Sequence, residues 1–210
     1  MTRGSKEGHG SDSTKPRSAT EVLVVDDDVE LAEIYADWLR DRYAVRTVHS
    51  GSEALDRVDA SVDVVLLDRH MTDLSGEEVL ARLRRRECDC SVAMVTAVEP
   101  DFDIVRLAFD EYVTKPVTRE EIRHVVDSLV TRRRYDERVD ELFSLVRKRA
   151  VLMAEKSTAE LQDSEAYREL VREIQTVNAE LDGLVYGLSA RDTEALFAQL
   201  DARQRGCADV

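Results

Sequence analysis

The feature of this sequence that most constrains its fold is a regular alternation of short apolar runs with segments of helical period. The apolar runs are rich in β-branched residues and span 21–25, 43–48, 63–67, 91–96 and 112–114. The segments that follow them place apolar residues every three or four positions and span 29–41, 51–59, 75–87, 102–109 and 118–131. Five strands alternating with five helices predict an α/β fold, with a five-stranded parallel, doubly wound sheet covered by helices on both faces.

Polar side chains stand at the positions where the predicted strands stop. They are the acidic run 26–28 after the first strand, Asp68 after the third, Thr96 at the end of the fourth and Lys115 after the fifth. Because the carboxyl ends of parallel strands lie along one edge of the sheet, we expect these side chains to converge on one crevice. The acidic run also has a structural interpretation: Asp27 with Glu30 makes a capping box, or Asp28 caps the next helix.

Carboxylates brought together at a sheet edge repel one another. A bound hard cation with oxygen ligands, Mg²⁺ above all, relieves that repulsion. A carboxylate beside such an ion can act as a nucleophile toward a phosphoryl group. Asp68 is the candidate nucleophile, with Thr96 and Lys115 as the hydroxyl and the cation that contact the phosphoryl group. The sequence therefore indicates phosphoryl chemistry at this edge of the sheet.

Four motifs resemble those of the receiver domain of two-component response regulators. They are Val-Leu-Val-Val-Asp-Asp-Asp at 22–28, Val-Val-Leu-Leu-Asp at 64–68 with Met71 and Gly76 after it, Val-Thr-Ala at 95–97, and Tyr-Val-Thr-Lys-Pro at 112–116. The resemblance implies a flavodoxin-like receiver over 21–131. It also implies that Asp68 accepts a phosphoryl group from a sensor histidine kinase, so that the chain works as a phosphorelay switch and not as an enzyme.

The same resemblance implies roles for the other site residues. Those assigned to Mg²⁺ are Asp27, Asp68, His70 through its backbone carbonyl, and Asp26 through water. Those assigned to the phosphoryl group and the switch are Thr96, Lys115 and Tyr112. Tyr112 is the aromatic residue expected to turn inward together with Thr96. The chain departs from the family pattern at Thr72, where proline is usual, and at Ala108, where glycine is frequent.

A second class of protein also forms an aspartyl phosphate. Phosphohydrolases of this type carry the nucleophile motif Asp-x-Asp-x-Thr/Val on the first strand. In this sequence Glu30 stands where that motif needs threonine or valine. A phosphohydrolase is therefore an alternative that turnover of a small phosphate ester would favour.

Beyond residue 131 the pattern is purely helical. Apolar residues keep spacings of three and four over 135–153, and again over 167–188 in a stripe typical of a coiled-coil seam. A polar connection with a capping box from Ser157 to Glu160 joins the two stripes, and a short third helix is predicted over about 190–203. The pattern predicts a small all-α helical hairpin, with part of its seam left for a partner such as a second copy of the chain.

Five stretches of this region resemble the HalX domain, a helical extension found after receivers in salt-loving archaea. They are Arg-Arg-Arg-Tyr-Asp at 132–136, Leu-Phe-Ser-Leu-Val at 142–146, Ala-Glu-Lys-Ser at 154–157, Ser-Glu-Ala-Tyr-Arg-Glu-Leu at 164–170 and Glu-Ala-Leu-Phe at 194–197. The resemblance implies a HalX-like module over 132–203 whose output is often taken to be transcriptional. A disordered tail is predicted over 1–20, and a short tail over 204–210.

Direct DNA binding is an alternative output, and it depends on the basic residues of 132–149. Arg132–Arg134 and Arg147–Arg149 are the positive footprint, but acidic residues are interleaved with them. The net charge of −14 also opposes nonspecific binding to nucleic acid. DNA is therefore a candidate partner that the sequence does not indicate.

The amino-acid composition indicates the environment in which the protein works. The excess of carboxylates with few lysines is typical of a salt-adapted proteome, in which ions screen the repulsion. No window approaches the apolar length of a membrane span, and residues 1–20 lack the apolar segment of a signal peptide, so we expect a cytoplasmic protein with no membrane partner. The three cysteines match neither a disulfide framework nor zinc spacing, and we expect reduced thiols.

Overall fold

A computed structural model describes residues 20–186 and contains the predicted strands. The strands are β1 (Glu21–Val25), β2 (Ala44–Val48), β3 (Val62–Leu67), β4 (Ser91–Thr96) and β5 (Glu111–Thr114). The α-helices are α1 (Val29–Leu39), α2 (Gly51–Arg57), α3 (Gly76–Arg85), α4 (Arg119–Glu155), α5 (Thr158–Asp163) and α6 (Glu165–Tyr186). Every strand boundary lies within one residue of its predicted position.

The five strands form one sheet in the order β2-β1-β3-β4-β5, and all neighbouring strands are parallel. This is the flavodoxin-like order, so the predicted fold class is confirmed. The direction of winding reverses between β1 and β3. In open sheets of this kind, ligands bind outside the carboxyl ends of the strands at that reversal. The fold therefore singles out the loops after β1 and β3 as the place to look for a site.

Helices cover both faces of the sheet because its central strands are apolar on both faces. Successive side chains of a strand point to opposite faces, so neighbouring residues belong to different cores. Val24 and Leu66 pack against α1 and the beginning of α4. Leu23 and Leu67 pack against α2 and α3 on the opposite face. The loops at the carboxyl edge are thus attached to strands that are buried on both sides.

Helix α4 is a single helix of 37 residues, although the sequence indicated two segments over 118–131 and 135–153. Thr118 caps its N-terminus, with Glu121 completing a capping box. No glycine or proline stands between residues 119 and 155, and arginines are good helix formers, so nothing ends the helix at the predicted domain boundary. The division of the chain at residue 131 therefore falls inside α4 and stays a prediction.

Helix α6 packs back onto the second half of α4 and forms the predicted helical hairpin. Ile174, Val177 and Leu181 of α6 are buried against Val139 and Leu145 of α4. Ser157 and Glu160 form the predicted capping box at the start of α5, which connects the two long helices. The predicted helix over 190–203, Leu188 of the apolar stripe, the 204–210 tail and residues 1–19 of the N-terminal tail lie outside the described residues.

The helix predicted over 102–109 is wrong. A 3₁₀ turn at Phe102–Arg106 replaces it. Phe102 and Val105 are 91% and 79% exposed, and the apolar contacts of the segment with the core come from Leu107 and Phe109, beyond the turn. After the turn, the carbonyl of Ala108 accepts a hydrogen bond from Arg84 Nε at 2.9 Å. The side chain of Arg84 thus satisfies a backbone carbonyl that a neighbouring amide would satisfy in a longer helix.

Candidate functional site

The loops after β1 and β3 bring three carboxylates together where the winding of the sheet reverses. Asp26 and Asp27 directly follow β1, and Asp68 directly follows β3. One carboxylate oxygen from each lies within 4.8 Å of the other two. Asp26 and Asp68 are 3% and 7% exposed, and Asp27 is half-buried. The structure therefore brings together the three acids that the sequence predicted to converge.

Lys115, in the loop after β5, lies between the two most buried carboxylates. Its Nζ donates to Asp26 Oδ2 at 2.7 Å and to Asp68 Oδ1 at 3.0 Å. Burial acts to lower the pKa of Lys115, but the hydrogen bonds and charges of Asp26 and Asp68 outweigh it and raise that pKa. Burial raises the pKa of Asp26, against the opposing effects of Lys115 and the Asp28 amide.

Backbone amides hold the other carboxylate oxygens of the cluster. The pairs, donor first, are Asp28 N–H to Asp26 Oδ1 at 3.0 Å, His70 N–H to Asp68 Oδ2 at 2.9 Å, and Thr72 N–H to Asp27 Oδ2 at 3.0 Å. His70 thus contacts the cluster through its backbone, and the residue as a whole is exposed. The role assigned to its carbonyl stays a prediction. Thr72, one of the two departures from the family pattern, contributes its amide to Asp27.

The three carboxylates fit a hard divalent cation. Lys115 offsets one of three negative charges, so a net charge of about −2 remains if all three acids are ionised. The side chains offer oxygen donors, which suit magnesium or calcium better than softer metals. Within residues 20–186, this is the one group of three or more acidic, histidine or cysteine side chains close enough to share an ion.

Asp28 belongs to helix α1 and not to the acidic cluster. It is the N-cap of α1, and its Oδ1 accepts from the backbone N–H of Leu31 at 3.1 Å. Of the two interpretations of this helix start, the cap by Asp28 is therefore the one found, and the box of Asp27 with Glu30 is not. The acidic run divides by function: two residues face the cluster, and the third begins a helix.

The loop between β3 and α3 is anchored by Asp73, which the sequence analysis missed. Its carboxylate accepts from the backbone amides of Gly51 and Ser52, both at 2.9 Å, at the start of α2. The hydrogen bonds from Ser52 and Gly51 lower the pKa of Asp73. No local pattern connects residues so far apart in the chain. The consequence is that the loop carrying His70 is fixed at both ends.

Gly76 closes the same loop at the first residue of α3. Its amide donates to the carbonyl of Arg69 at 2.8 Å. A Cβ atom at this position would lie 2.2 Å from the backbone oxygen of Asp68 and 3.0 Å from Arg69 Cα. The loop therefore passes so close to the helix start that only glycine fits without a shift of the backbone beside Asp68.

Thr96 and Tyr112 are joined through Val98. Thr96 ends β4, is 1% exposed, and its Oγ1 accepts from the amide of Val98 at 3.4 Å. The hydroxyl of Tyr112 donates to the carbonyl of Val98 at 2.8 Å, and its ring packs 5.5 Å from that of Phe109. The backbone amide of Lys115 donates to the carbonyl of Thr96 at 2.7 Å. The two predicted switch residues, Thr96 and Tyr112, are thus both hydrogen-bonded to the backbone of Val98.

The first basic triplet of α4 contacts the sheet domain. Arg132 pairs with Glu111 at 3.3 Å, and Arg133 pairs with Asp89 at 3.0 Å and with Asp63 at 3.5 Å. Both arginine side chains are only about a tenth exposed. These two residues of the candidate DNA footprint are therefore engaged within the chain.

The fold and the cluster define a receiver-type α/β domain, and the family comparisons agree. The chain belongs to the response regulator receiver family, whose model matches residues 22–127. A second family model, the HalX domain, matches residues 131–197. Both resemblances inferred from the motifs are thus confirmed. Within residues 20–186, no helix combines the length and apolar character that crossing a membrane requires.

Two curated relatives illustrate the range of similarity. A Haloferax volcanii protein named "Putative transcriptional regulator" is 41% identical over 201 residues, which are 95% of this chain and 34% of that protein. Response regulator SaeR of Staphylococcus aureus is 28% identical over 117 residues, which are 54% of this chain and 51% of SaeR. The matched part of this chain therefore spans about a third of the length of the Haloferax protein and about half of the length of SaeR.

Solved structures share the fold of the sheet domain. A CheY-like response regulator receiver domain protein from Methanospirillum hungatei matches with a TM-score of 0.53 and 20% identity, covering 57% of this chain and 99% of that one. The BeF3-activated DrrB receiver domain matches with a TM-score of 0.50 and 26% identity, covering 54% of this chain and 98% of that one. The matches cover about half of this chain, in agreement with the length of the receiver.

Proposed function

We propose that the chain is a cytoplasmic response regulator of a two-component phosphorelay, in which Asp68 accepts a phosphoryl group from a sensor histidine kinase. The observation that carries the proposal is the contact of buried Asp68 with Lys115 at 3.0 Å, beside Asp26 and Asp27. A carboxylate oriented by a cation at the edge of a sheet is suited to attack phosphorus. The switch then passes to the HalX helices.

In the proposed transfer, an oxygen of Asp68 attacks the phosphorus of a phosphohistidine, the P–N bond breaks, and the imidazole leaves. The His70 amide and Lys115 hold the two Asp68 oxygens before the attack, which reduces the entropy lost in reaching the reactive geometry. After transfer, Lys115 pairs with one phosphoryl oxygen, and the hydroxyl of Thr96 contacts another. The chain is a phosphoryl acceptor in this scheme and needs no further catalytic group.

Mg²⁺ is the cation proposed for the cluster. Asp26, Asp27 and Asp68 would hold it, with the carbonyl of His70 as a further ligand. Bound there, it supplies positive charge beside the phosphoryl oxygens. The oxygen donors and the net charge of about −2 support this assignment.

The proposed output runs from Thr96 through Tyr112 to α4. Because both residues hydrogen-bond to Val98, a shift of Thr96 toward a phosphoryl group changes the contact that holds Tyr112. Tyr112 lies on β5, and the chain enters α4 only a few residues later. Since α4 is one helix that reaches into the hairpin, a change at its start can reach the HalX region. A second copy of the chain is the partner we propose there.

Direct DNA binding through 132–149 is a second candidate, favoured by the name of the Haloferax relative. Arg132 and Arg133 are engaged with the sheet domain, which leaves the exposed Arg134, Arg147 and Lys148 as phosphate contacts. A gel shift with promoter DNA distinguishes the candidates, because affinity carried by phosphate contacts falls steeply as salt rises. An aspartyl-phosphate phosphohydrolase would instead turn over a small phosphate ester, and a response regulator would not.

The experiment that tests the proposal is labelling by a small acyl phosphate in the presence and absence of Mg²⁺. The wild-type chain and Asp28→Asn should both be labelled, because Asp28 caps α1 and does not face the cluster. Asp68→Asn should not be labelled. Both variants remove one carboxylate charge, so the pair controls for net charge. Label retained in Asp68→Asn and located on Asp26 or Asp27 would refute the assignment.

A further inference from the structure

Two cysteines outside the acidic cluster lie in direct contact. Cys88 and Cys90 flank Asp89 in the loop from α3 to β4, at the edge where the strands begin and thus opposite the acidic cluster. Their Sγ atoms are 3.1 Å apart, with both thiols free. A disulfide bond measures about 2.05 Å, so bond formation requires the sulfurs to approach by only about 1 Å.

Tertiary contacts impose this arrangement on the loop. The guanidinium of Arg84 donates to the carbonyl of Cys90 at 2.8 Å and to that of Cys88 at 3.5 Å. The same group contacts Asp110 at 2.8 Å, which ties the loop to the residue before β5. Glu87, just before the cysteines, has a φ of 54°, a conformation that side-chain-bearing residues rarely adopt. The folded protein therefore holds the two thiols together in a constrained turn.

The pair is open to a small oxidant. Cys88 is half-buried and Cys90 is buried, and both line a cavity of about 430 Å³ between this loop and α4. A water molecule occupies about 30 Å³ of liquid volume, so a molecule the size of hydrogen peroxide fits easily. We propose that Cys88 and Cys90 form a reversible dithiol–disulfide site that hydrogen peroxide oxidises, and that its closure weakens the contact of Asp89 with α4.

The two steps of the oxidation balance. The sulfur of Cys88 attacks one peroxide oxygen, the O–O bond breaks, and a sulfenic acid and one water form. The sulfur of Cys90 then attacks the sulfur of Cys88, the S–O bond breaks, the S–S bond forms, and a second water leaves. Cys88 reacts first because it is the more exposed, and because burial and the neighbouring Cys88 raise the pKa of Cys90 to about 12.

Closure of so small a ring has a consequence for α4. Asp89, between the cysteines, pairs with Arg133 of α4 at 3.0 Å. Asp89 is the central residue of the ring that a Cys88–Cys90 bond closes, so its backbone must adjust on oxidation. Its exposed carboxylate then loses its geometry toward Arg133, which keeps Asp63 at 3.5 Å and Glu137 at 3.3 Å as partners. Strained disulfides are also readily reduced, which makes the change reversible. Oxidation of the two cysteines thus alters a contact of α4 by a route that does not involve Asp68.

The experiment uses the full-length chain with Cys207→Ser, treated with hydrogen peroxide, alkylated and digested with trypsin. The peptide 87–106 contains both cysteines. After peroxide it should carry no alkyl group and be about 2 Da lighter than the dithiol form, and dithiothreitol should restore double alkylation. Cys88→Ser and Cys90→Ser, each in the same background, should keep an alkylatable thiol or progress to higher oxides, without that loss of mass.

A doubly alkylated peptide after peroxide would overturn the proposal, as would sulfinic acid on Cys88 with Cys90 still alkylatable. Hydrogen exchange tests the link to α4. Amides at 129–137 should exchange faster in the oxidised protein, and Asp89→Asn should show the faster exchange already when reduced. Unchanged exchange in the oxidised protein would refute the connection from the loop to Arg133.

Discussion

Gly76 offers a sharp test of how tightly the loop beside Asp68 is packed. In Gly76→Ala, the new methyl group would lie 2.2 Å from the backbone oxygen of Asp68. Ordinary carbon–oxygen contacts are more than 1 Å longer, and a backbone carbonyl cannot rotate away as a side chain does. The backbone of Asp68 or the start of α3 must therefore shift. Overfilling a packed site costs about 1–3 kcal/mol, and the rigid neighbour places this variant in the upper half of that range.

The assay is urea unfolding followed by the fluorescence of Trp38, the one tryptophan in the sequence. Trp38 packs beside the core formed by α1 and the sheet, so it reports unfolding of the receiver. A loss of about 2 kcal/mol with a denaturant slope of about 2 kcal/mol/M lowers the midpoint by about 1 M urea. Labelling of Asp68 should fall as well, because the shifted backbone also carries the His70 amide.

Gly183→Ala is the matched control. Gly183 lies in α6, and a Cβ atom there would meet nothing within 4 Å. Alanine in a helix is more stable than glycine by about 0.5–1 kcal/mol, so this variant should leave the Trp38 transition unchanged or raise it. A wild-type midpoint for Gly76→Ala would refute the reasoning, because the close approach would then have no energetic cost.

Three further predictions concern the cation, the hairpin and alkaline pH. Mg²⁺ should raise the melting temperature, with about 1.4 kcal/mol of stabilisation at ten times Kd, and Asp27→Ala should remove most of that shift. Ile174→Glu places a charge in the buried α4–α6 contact, and circular dichroism should show loss of hairpin helicity at a cost of about 3 kcal/mol or more. Burial and the hydrogen bond to Asp127 raise the pKa of Tyr43 above its ordinary 10.0. The unfolded state therefore loses this proton first, and Tyr43 should contribute about 1.4 kcal/mol per pH unit to the fall of the unfolding free energy above pH 10. Tyr43→Phe should remove that contribution, while Tyr35 and Lys115, whose pKa values are also raised, keep the rest of the slope.

Each of these has a result that would contradict it. Sodium chloride of equal ionic strength giving the same shift as Mg²⁺ would remove the case for a specific ion. Gln175→Glu adds the same charge at an exposed neighbouring position, so equal helicity in it and in Ile174→Glu would mean that Ile174 is not held in a core. An identical alkaline slope in Tyr43→Phe and the wild type would assign the proton to another group.

The candidate site was predictable from the sequence because its residues mark the ends of strands. Asp26, Asp68 and Lys115 each follow an apolar run, and parallel strands bring their carboxyl ends to one edge. The direct contact of Lys115 with both acids could not be predicted from the sequence, because it depends on how the loops after three strands pack. The division of the acidic run into two cluster residues and a helix cap by Asp28 likewise needed the structure.

Sequence periodicity by itself determined the order of strands and helices, the edge that carries the acids, and the amphipathic stripes of the hairpin, because burial repeats with the geometry of each element. Only the tertiary structure decided that α4 continues through the predicted boundary, that Arg133 pairs with Asp89, and that Cys88 touches Cys90. A polar side chain has many possible partners along the chain, and local pattern does not rank them. Partners are chosen when the apolar faces pack and bring distant loops within hydrogen-bonding distance.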